Sequence, residues 1–227
     1  MKKTLWAGLA VGVMMLGTAG ITSATTIIDN STSGYYNSSI GTVLDLTNPV
    51  GTTYLFPGAG STPNDPTFNP VPNAPDLSNA STILGAWLTN PANLNLDTNW
   101  SFSPIPGSWT VNHETAIVYI INAGTNGLVN VVAQFGVDNG IFAWLDGTFL
   151  NGWLAPGGAI PNEYQTNIGS LSAGSHYLQI LREDHGGSTG YDIKVTGDAA
   201  PVPEPATMLL MGTGIAGLIA ARRKKKA

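Results

Sequence analysis

The chain contains no cysteine. Disulfides, thiolate metal sites, thiol catalysis and haem attachment through Cys are therefore excluded, and stability must come from a packed core. Positive charge is also scarce in the body of the chain. Seven of the nine Lys and Arg are Lys2, Lys3 and the five residues at 222–226, which leaves only Arg182 and Lys194. Thirteen of the fourteen acids lie between those ends, Glu204 being the other, so the middle carries about −11 against −5 for the whole chain. Such a surface repels nucleic acid and acidic polysaccharide, and it attracts divalent cations. Familiar catalytic signatures are missing too. There is no HExxH helix, no GxSxG elbow and no phosphate-cradling Gly loop ahead of a helix. Scattered acids alone do not single out the carboxylate pair of a glycosidase. The expectation is a protein that is not an enzyme, binds no nucleic acid and needs no cofactor, with calcium the one ion its acids could attract.

Both ends read as targeting segments. Lys2 and Lys3 precede an apolar run from Leu5 to Leu16, and Thr22-Ser23-Ala24 offers a small-x-small cut after Ala24. This is the form of a secretory signal peptide over residues 1–24, cut by signal peptidase. Cleavage at Ala19 is the alternative site.

At the other end, Val202-Pro203-Glu204-Pro205 leads into Ala206–Ala221, which holds no charge, and then into Arg222, Arg223 and three lysines. Sixteen helical residues at about 1.5 Å each cover roughly 24 Å, short of a hydrocarbon core of about 30 Å. Gly212, Ala216 and Ala220 stand four apart and form a small-residue stripe suited to close helix contact. The basic stop at 222–226 stays cytoplasmic by the positive-inside rule. The tail, residues 199–227, resembles the PEP-CTERM sorting signal, also called an ice-binding protein C-terminal segment. The resemblance implies that an exosortase, an integral-membrane transpeptidase, reads Val202, Pro203, Glu204, Pro205, Arg222 and Arg223. It implies a transmembrane helix over 206–221 that holds the protein in the inner membrane until processing near 203–205 releases it to the cell surface or beyond. It does not imply ice binding, because the chain has no regular Thr-x-Thr array.

Residues 25–198 are enough for one domain of ordinary size, about 175 residues. Gly, Asn, Thr and Ser punctuate this part, and no long helical period appears. Prolines at 63, 66, 70, 72 and 75 exclude a helix or central strand there. Strands are expected at 116–121, 128–135, 141–145, 148–150, 176–182 and 191–195, with Asp146-Gly147 as a two-residue hairpin turn. A short helix is expected near Ser81 to Leu88. The expected fold is all-β, a single jelly roll or β-sandwich flanked by the signal peptide and the sorting helix.

The segment from Gly136 to Gly147, GVDNGIFAWLDG, carries an acidic turn, a strand and an Asp-Gly hairpin, and residues 171–180 form a Gly turn feeding a strand. In these features residues 114–196 resemble carbohydrate-binding and protective-antigen-like β-sandwiches and galactose-binding-like jelly rolls. In the lectin members two adjacent Asp bind calcium; here the matching pair is Asp138-Asn139, one carboxylate fewer. Asp184, His185 and Asp192, on a Gly-rich loop, could add to such a divalent-cation or glycan contact. The alternative is a solvated hairpin whose acids hold turns through backbone hydrogen bonds. Along 141–145 both faces of the strand are apolar. Either the strand is central and buried twice, or Trp144, with Trp153 and Tyr164 from the following loop, forms an exposed platform for sugar rings. Three functions stay open: a non-catalytic surface or matrix protein sorted with exopolysaccharide, a carbohydrate-binding or adhesive module, and a secreted hydrolase.

Overall fold

The computed structural model describes residues 24–44, 73–94, 99–154, 158–184, 187–201, 212–218 and 222. Among these residues, apolar and β-branched runs cut by Gly, Asn and Asp turns fold as ten strands. They are β1 (Thr25–Ile28), β2 (Ser33–Gly41), β3 (Ser101–Pro104), β4 (Glu114–Asn122), β5 (Leu128–Asp138), β6 (Gly140–Leu145), β7 (Thr148–Leu154), β8 (Tyr164–Leu171), β9 (Ser175–Glu183) and β10 (Gly190–Ala199). One sheet has the order β1-β10-β5-β8 and the other β3-β2-β4-β9-β6-β7. Every strand pair is antiparallel.

The expected hairpin turn forms where Asp146 and Gly147 both take positive φ, 49° and 79°. These are the left-handed values that match the twist of the flanking strands. The helix expected near Ser81 shortens to α1 (Ser81–Leu84) and continues as turns.

Period-2 alternation places alternate residues of each strand on opposite faces. Between the sheets lie Ile117, Tyr119 and Ile121 of β4, Leu178 and Ile180 of β9, Ala133 and Phe135 of β5, and Ile193 and Val195 of β10, all buried. The outer face of the six-stranded sheet is covered as well. There α1 and the irregular chain around it bring Leu84, Trp87, Leu94 and Trp100 onto Ala116, Val118, Phe142, Trp144 and Leu181. Trp87 meets Trp144 edge-on with ring centroids 5.4 Å apart, and Trp144 meets Phe149 at 5.3 Å. Asn37 of β2 donates to the Ile83 carbonyl at 3.1 Å, and Gln179 of β9 donates to the Trp87 carbonyl at 3.3 Å. The covering layer is thus held to the sheet by polar contacts as well as by apolar packing.

On the outer face of the four-stranded sheet the chain around Ala159 and Ile160 lies directly on two glycines of adjacent strands, Gly136 of β5, opposite Asp192, and Gly190 of β10, opposite Asp138. A Cβ on Gly136 would collide with the Ile160 carbonyl, and one on Gly190 would stand 2.9 Å from Ala159 Cβ.

Trp87 has no exposure and touches two other indoles. Trp87→Ala is expected to lower unfolding free energy by about 3–5 kcal/mol, the range for emptying a large aromatic site. Denaturant unfolding of the full-length chain checks this.

Candidate functional site

The acidic residues singled out in the sequence are spent on holding turns. Asn139 donates to Asp138 Oδ1 at 2.9 Å, and Ser188 Oγ donates to Oδ2 at 3.0 Å. Asp184, 4% exposed, accepts the Asn112 backbone N–H at 2.6 Å and so caps a residue in left-handed conformation. Asp192 turns elsewhere: its Oδ2 accepts from Asn30 Nδ2 at 2.6 Å, while Asn30 Oδ1 accepts the Ile193 N–H at 2.9 Å. Among the described residues no three of His, Asp, Glu or Cys are placed to share a metal ion. His185 lies outside the described residues.

The proposed sugar platform is not what the aromatic residues form. Trp144 is 2% exposed, Trp153 4% and Tyr164 8%. Trp144 belongs to the layer under Trp87, because β6 lies between β9 and β7 and is covered on both faces. Trp153 points between the sheets, packs on Phe135 at 5.4 Å and stacks on Tyr164 at 6.3 Å. Burial raises the Tyr164 phenol above its ordinary pKa, and the neighbouring Glu163 adds to the shift.

A residue that sequence reasoning left as one of two stray cations organises one end of the molecule. Arg182 follows Leu178 and Ile180 on the inward face of β9 and is completely buried. Its guanidinium carbon lies 4.3 Å from the Trp109 ring centre, 4.7 Å from Tyr191 and 5.6 Å from Tyr36. Nε donates to Thr115 Oγ1 at 2.9 Å and Nη1 donates to the Pro106 carbonyl at 2.8 Å. Among the described residues no carboxylate stands within ion-pair distance of it. Burial lowers its pKa and the tyrosines partly offset this. Burial also pushes the Tyr119 phenol up to about 12 and raises the Tyr191 phenol well above its ordinary value. The chain from Pro106 to His113 forms a strap over this cage. Trp109 N–H donates to Thr189 Oγ1 at 2.9 Å, Thr189 Oγ1 donates back to the Trp109 carbonyl at 2.8 Å, and Trp109 Nε1 donates to the His113 carbonyl at 2.7 Å. An Arg in phase with core positions was the available signal.

At the opposite end of β9, His176 Nδ1 lies 2.7 Å from Asp146 Oδ2, and Nε2 lies 3.0 Å from the Ser172 carbonyl and 3.3 Å from Ser172 Oγ. The order of groups is that of a nucleophile, base and acid, yet the ring nitrogen nearest the hydroxyl is nearer still to a carbonyl. Nε2–H bonded to that carbonyl cannot also accept the serine proton, as a general base must. Burial draws the His176 pKa down, but the Asp146 carboxylate and Ser172 carbonyl together hold it above the ordinary histidine value.

An open cleft of about 460 Å³ lies where the β1–β2 turn, residues 161–162 and β10 meet; Asp29, Asn30, Asn162, Asp192 and Lys194 line it together with Pro161 and Ile193. Asp29 Oδ1 accepts from Ser31 N at 2.9 Å, Ser31 Oγ at 2.6 Å and Thr32 Oγ1 at 3.2 Å, which fixes the turn and lowers the Asp29 pKa.

Two substitutions separate packing from charge in the Arg182 cage. Arg182→Ala leaves the Pro106 carbonyl and Thr115 hydroxyl without their donor and opens a hole, and should cost more than about 3 kcal/mol. Arg182→Lys keeps the charge but loses the planar stack and the two-point donation, and should recover only part of that loss. Chemical denaturation of both variants checks the order.

In the tail, residues 212–218 are helical and exposed, and Arg222 is exposed. No described helix is long and apolar enough to cross a membrane. Val202, Pro203, Glu204, Pro205 and Arg223 lie outside the described residues, as do residues 1–23. No curated protein matches the chain. The family model described as the PEP-CTERM protein-sorting motif matches residues 201–224, so the tail carries that motif, and the motif implies an extracellular protein sorted by exosortase.

Proposed function

We propose that this chain is an exported, non-catalytic surface or extracellular-matrix protein: a β-sandwich cargo delivered by a removable tail. The carrying observation is the sorting motif at 201–224. In this reading, residues 1–24 direct export and are cut by signal peptidase. Residues 206–221 hold the protein in the inner membrane, and exosortase processes it near Pro203-Glu204-Pro205. The cargo's chemistry supports a non-catalytic role. Its His-containing triad is directed at a carbonyl rather than a hydroxyl, and its described carboxylates are largely engaged in capping turns. Its acidity keeps the released protein soluble and away from polyanions. Association with an exopolysaccharide would therefore involve a neutral polymer.

A second reading, a carbohydrate-binding module, is supported by the cleft at Asp29, Asn30, Asp192 and Lys194, whose fixed carboxylates and amide suit sugar hydroxyls. Retention on a panel of neutral polysaccharides, lost in Asp192→Ala, would favour it over the first.

Replacing Pro203, Glu204 and Pro205 together with Ala should leave the full-length tail on the protein and the protein in the membrane fraction. The unaltered chain should yield a product lacking both ends. Intact mass of the outer fraction decides this. A full-length species there, unchanged when the exosortase is deleted, would remove the sorting reading.

A further inference from the structure

The surroundings of His176 specify a protonation state. A neutral imidazole has one N–H and one lone pair. Here Nδ1 faces a carboxylate oxygen at 2.7 Å and Nε2 faces a carbonyl oxygen at 3.0 Å. Both partners are acceptors only, so both contacts are satisfied at once only by the imidazolium. The neutral ring must release one of them. A replacement stands beside it: Ser172 Oγ, 3.3 Å from Nε2, can donate to the lone pair that the carbonyl cannot use.

The partners are themselves tied into the fold. Asp146 Oδ1 accepts the Tyr177 N–H at 2.8 Å, and the Asp146 N–H donates to the Tyr177 carbonyl at 2.9 Å. The next residue, Gly147, donates to Gln179 Oε1 at 3.3 Å, and Gln179 donates to the Trp87 carbonyl at 3.3 Å. Gly147 also sits against the Leu88 carbonyl so closely that a Cβ would collide with it. The Asp146-Gly147 turn is therefore the point where the His176 contact meets the layer that covers the six-stranded sheet. We infer that His176 is a pH-sensitive latch: its imidazolium clamps the β6–β7 turn to the β8–β9 turn, and its neutral form swaps the Ser172 carbonyl for the Ser172 hydroxyl and loosens the seat of the covering layer.

Asp146 is the titratable group facing the ring among the described residues. The β8–β9 turn presents Ser172, Ala173 and Gly174; β4 presents Ile121 and Asn122 opposite His176 and Ser175, none of them charged. The adjacent Tyr177 alternates to the other face of β9 and packs against the outer layer. The sign follows from the raised folded pKa. The latch contributes fully below the unfolded value of about 6.5, and its contribution is lost as pH rises through the folded value.

The test uses the full-length chain in detergent micelles. The His176 ring is followed by NMR from about pH 5 to 9, the window in which histidines titrate. Amide exchange at Tyr177 and Gly147 is corrected for intrinsic rates. Expected are a ring midpoint above about 6.5 that falls in Asp146→Asn, and protection at both amides that drops across the same interval in the parent but stays level in His176→Gln. Ser172→Ala keeps the carbonyl, so it should fold and hold the latch shut at low pH, and it should sharpen the loss of protection at high pH. A midpoint at or below the ordinary histidine value, or protection that does not change with pH in the parent, overturns the latch.

Discussion

A buried guanidinium with no carboxylate within ion-pair distance among the described residues is the constraint around which the strand ends near Glu183 are built. Removing a charge from water costs several kcal/mol even after relaxation, and a carboxylate partner usually offsets it. Arg182 is held instead by three aromatic faces and two neutral acceptors. Ring faces attract a cation most strongly where water is excluded, and a flat guanidinium stacks on them as an ammonium cannot. The arrangement has a geometric consequence. The rings come from β2, β10 and the strap before β4, so one side chain fixes both sheets and the strap relative to each other. The capping of Asn112 by Asp184 and the exchange of hydrogen bonds between Trp109 and Thr189 are then satisfiable in one strap position.

The second feature of the architecture is that the six-stranded sheet is apolar on both faces. An antiparallel sheet with one wet face reads as alternating apolar and polar residues. Ile141, Ala143 and their alternates Phe142 and Trp144 break that pattern because a further layer replaces solvent. The layer is made of the one-turn helix α1 and short helical turns and irregular chain around it, rather than a long helix or a third sheet. Its seat combines apolar packing with aromatic edges and a few side-chain amides, and the Asp146-Gly147 turn reaches it at the Leu88 carbonyl.

This also explains what was legible in the sequence. β4, β5, β6, β7, β9 and β10 were visible because apolar runs end at Gly, Asn and Asp turns. β2 was not, since Ser33, Ser38, Ser39 and Asn37 give it the composition of a loop; nor was β8, an edge strand with Gln165, Thr166 and Asn167. β3 contains Pro104, which is tolerated because β3 is an edge. Trp144 was ambiguous for a physical reason: a strand apolar on both faces is equally a doubly buried strand or a binding platform. The residues that decide the matter, Leu84, Trp87, Leu94 and Trp100, lie 40 or more positions before β6, so nothing local to 141–145 reports them. Loop acids near Gly have the same sequence appearance whether they bind a cation or cap a turn, and in the fold Asp138 and Asp184 accept hydrogen bonds from Ser188 and the Asn112 backbone. Tertiary contacts such as Asn30 with Asp192, 162 residues apart, leave no local trace.

The distribution of charge follows from the same geometry. With Arg182 sealed in its cage, Lys194 is the remaining Lys or Arg of the whole stretch 25–198. Orientation in a membrane is set by Lys and Arg near the spanning segments, while Asp and Glu contribute little. In the proposed reading, the information for topology is confined to Lys2 and Lys3 at one end and residues 222–226 at the other, both on the cytoplasmic side. The cargo between them offers almost no competing cation, and the one it needs for packing is hidden on folding. An acidic, nearly cation-free body is therefore more than a solubility device. In the proposed reading it also leaves two short basic clusters to determine which parts of the chain stay inside and which part crosses.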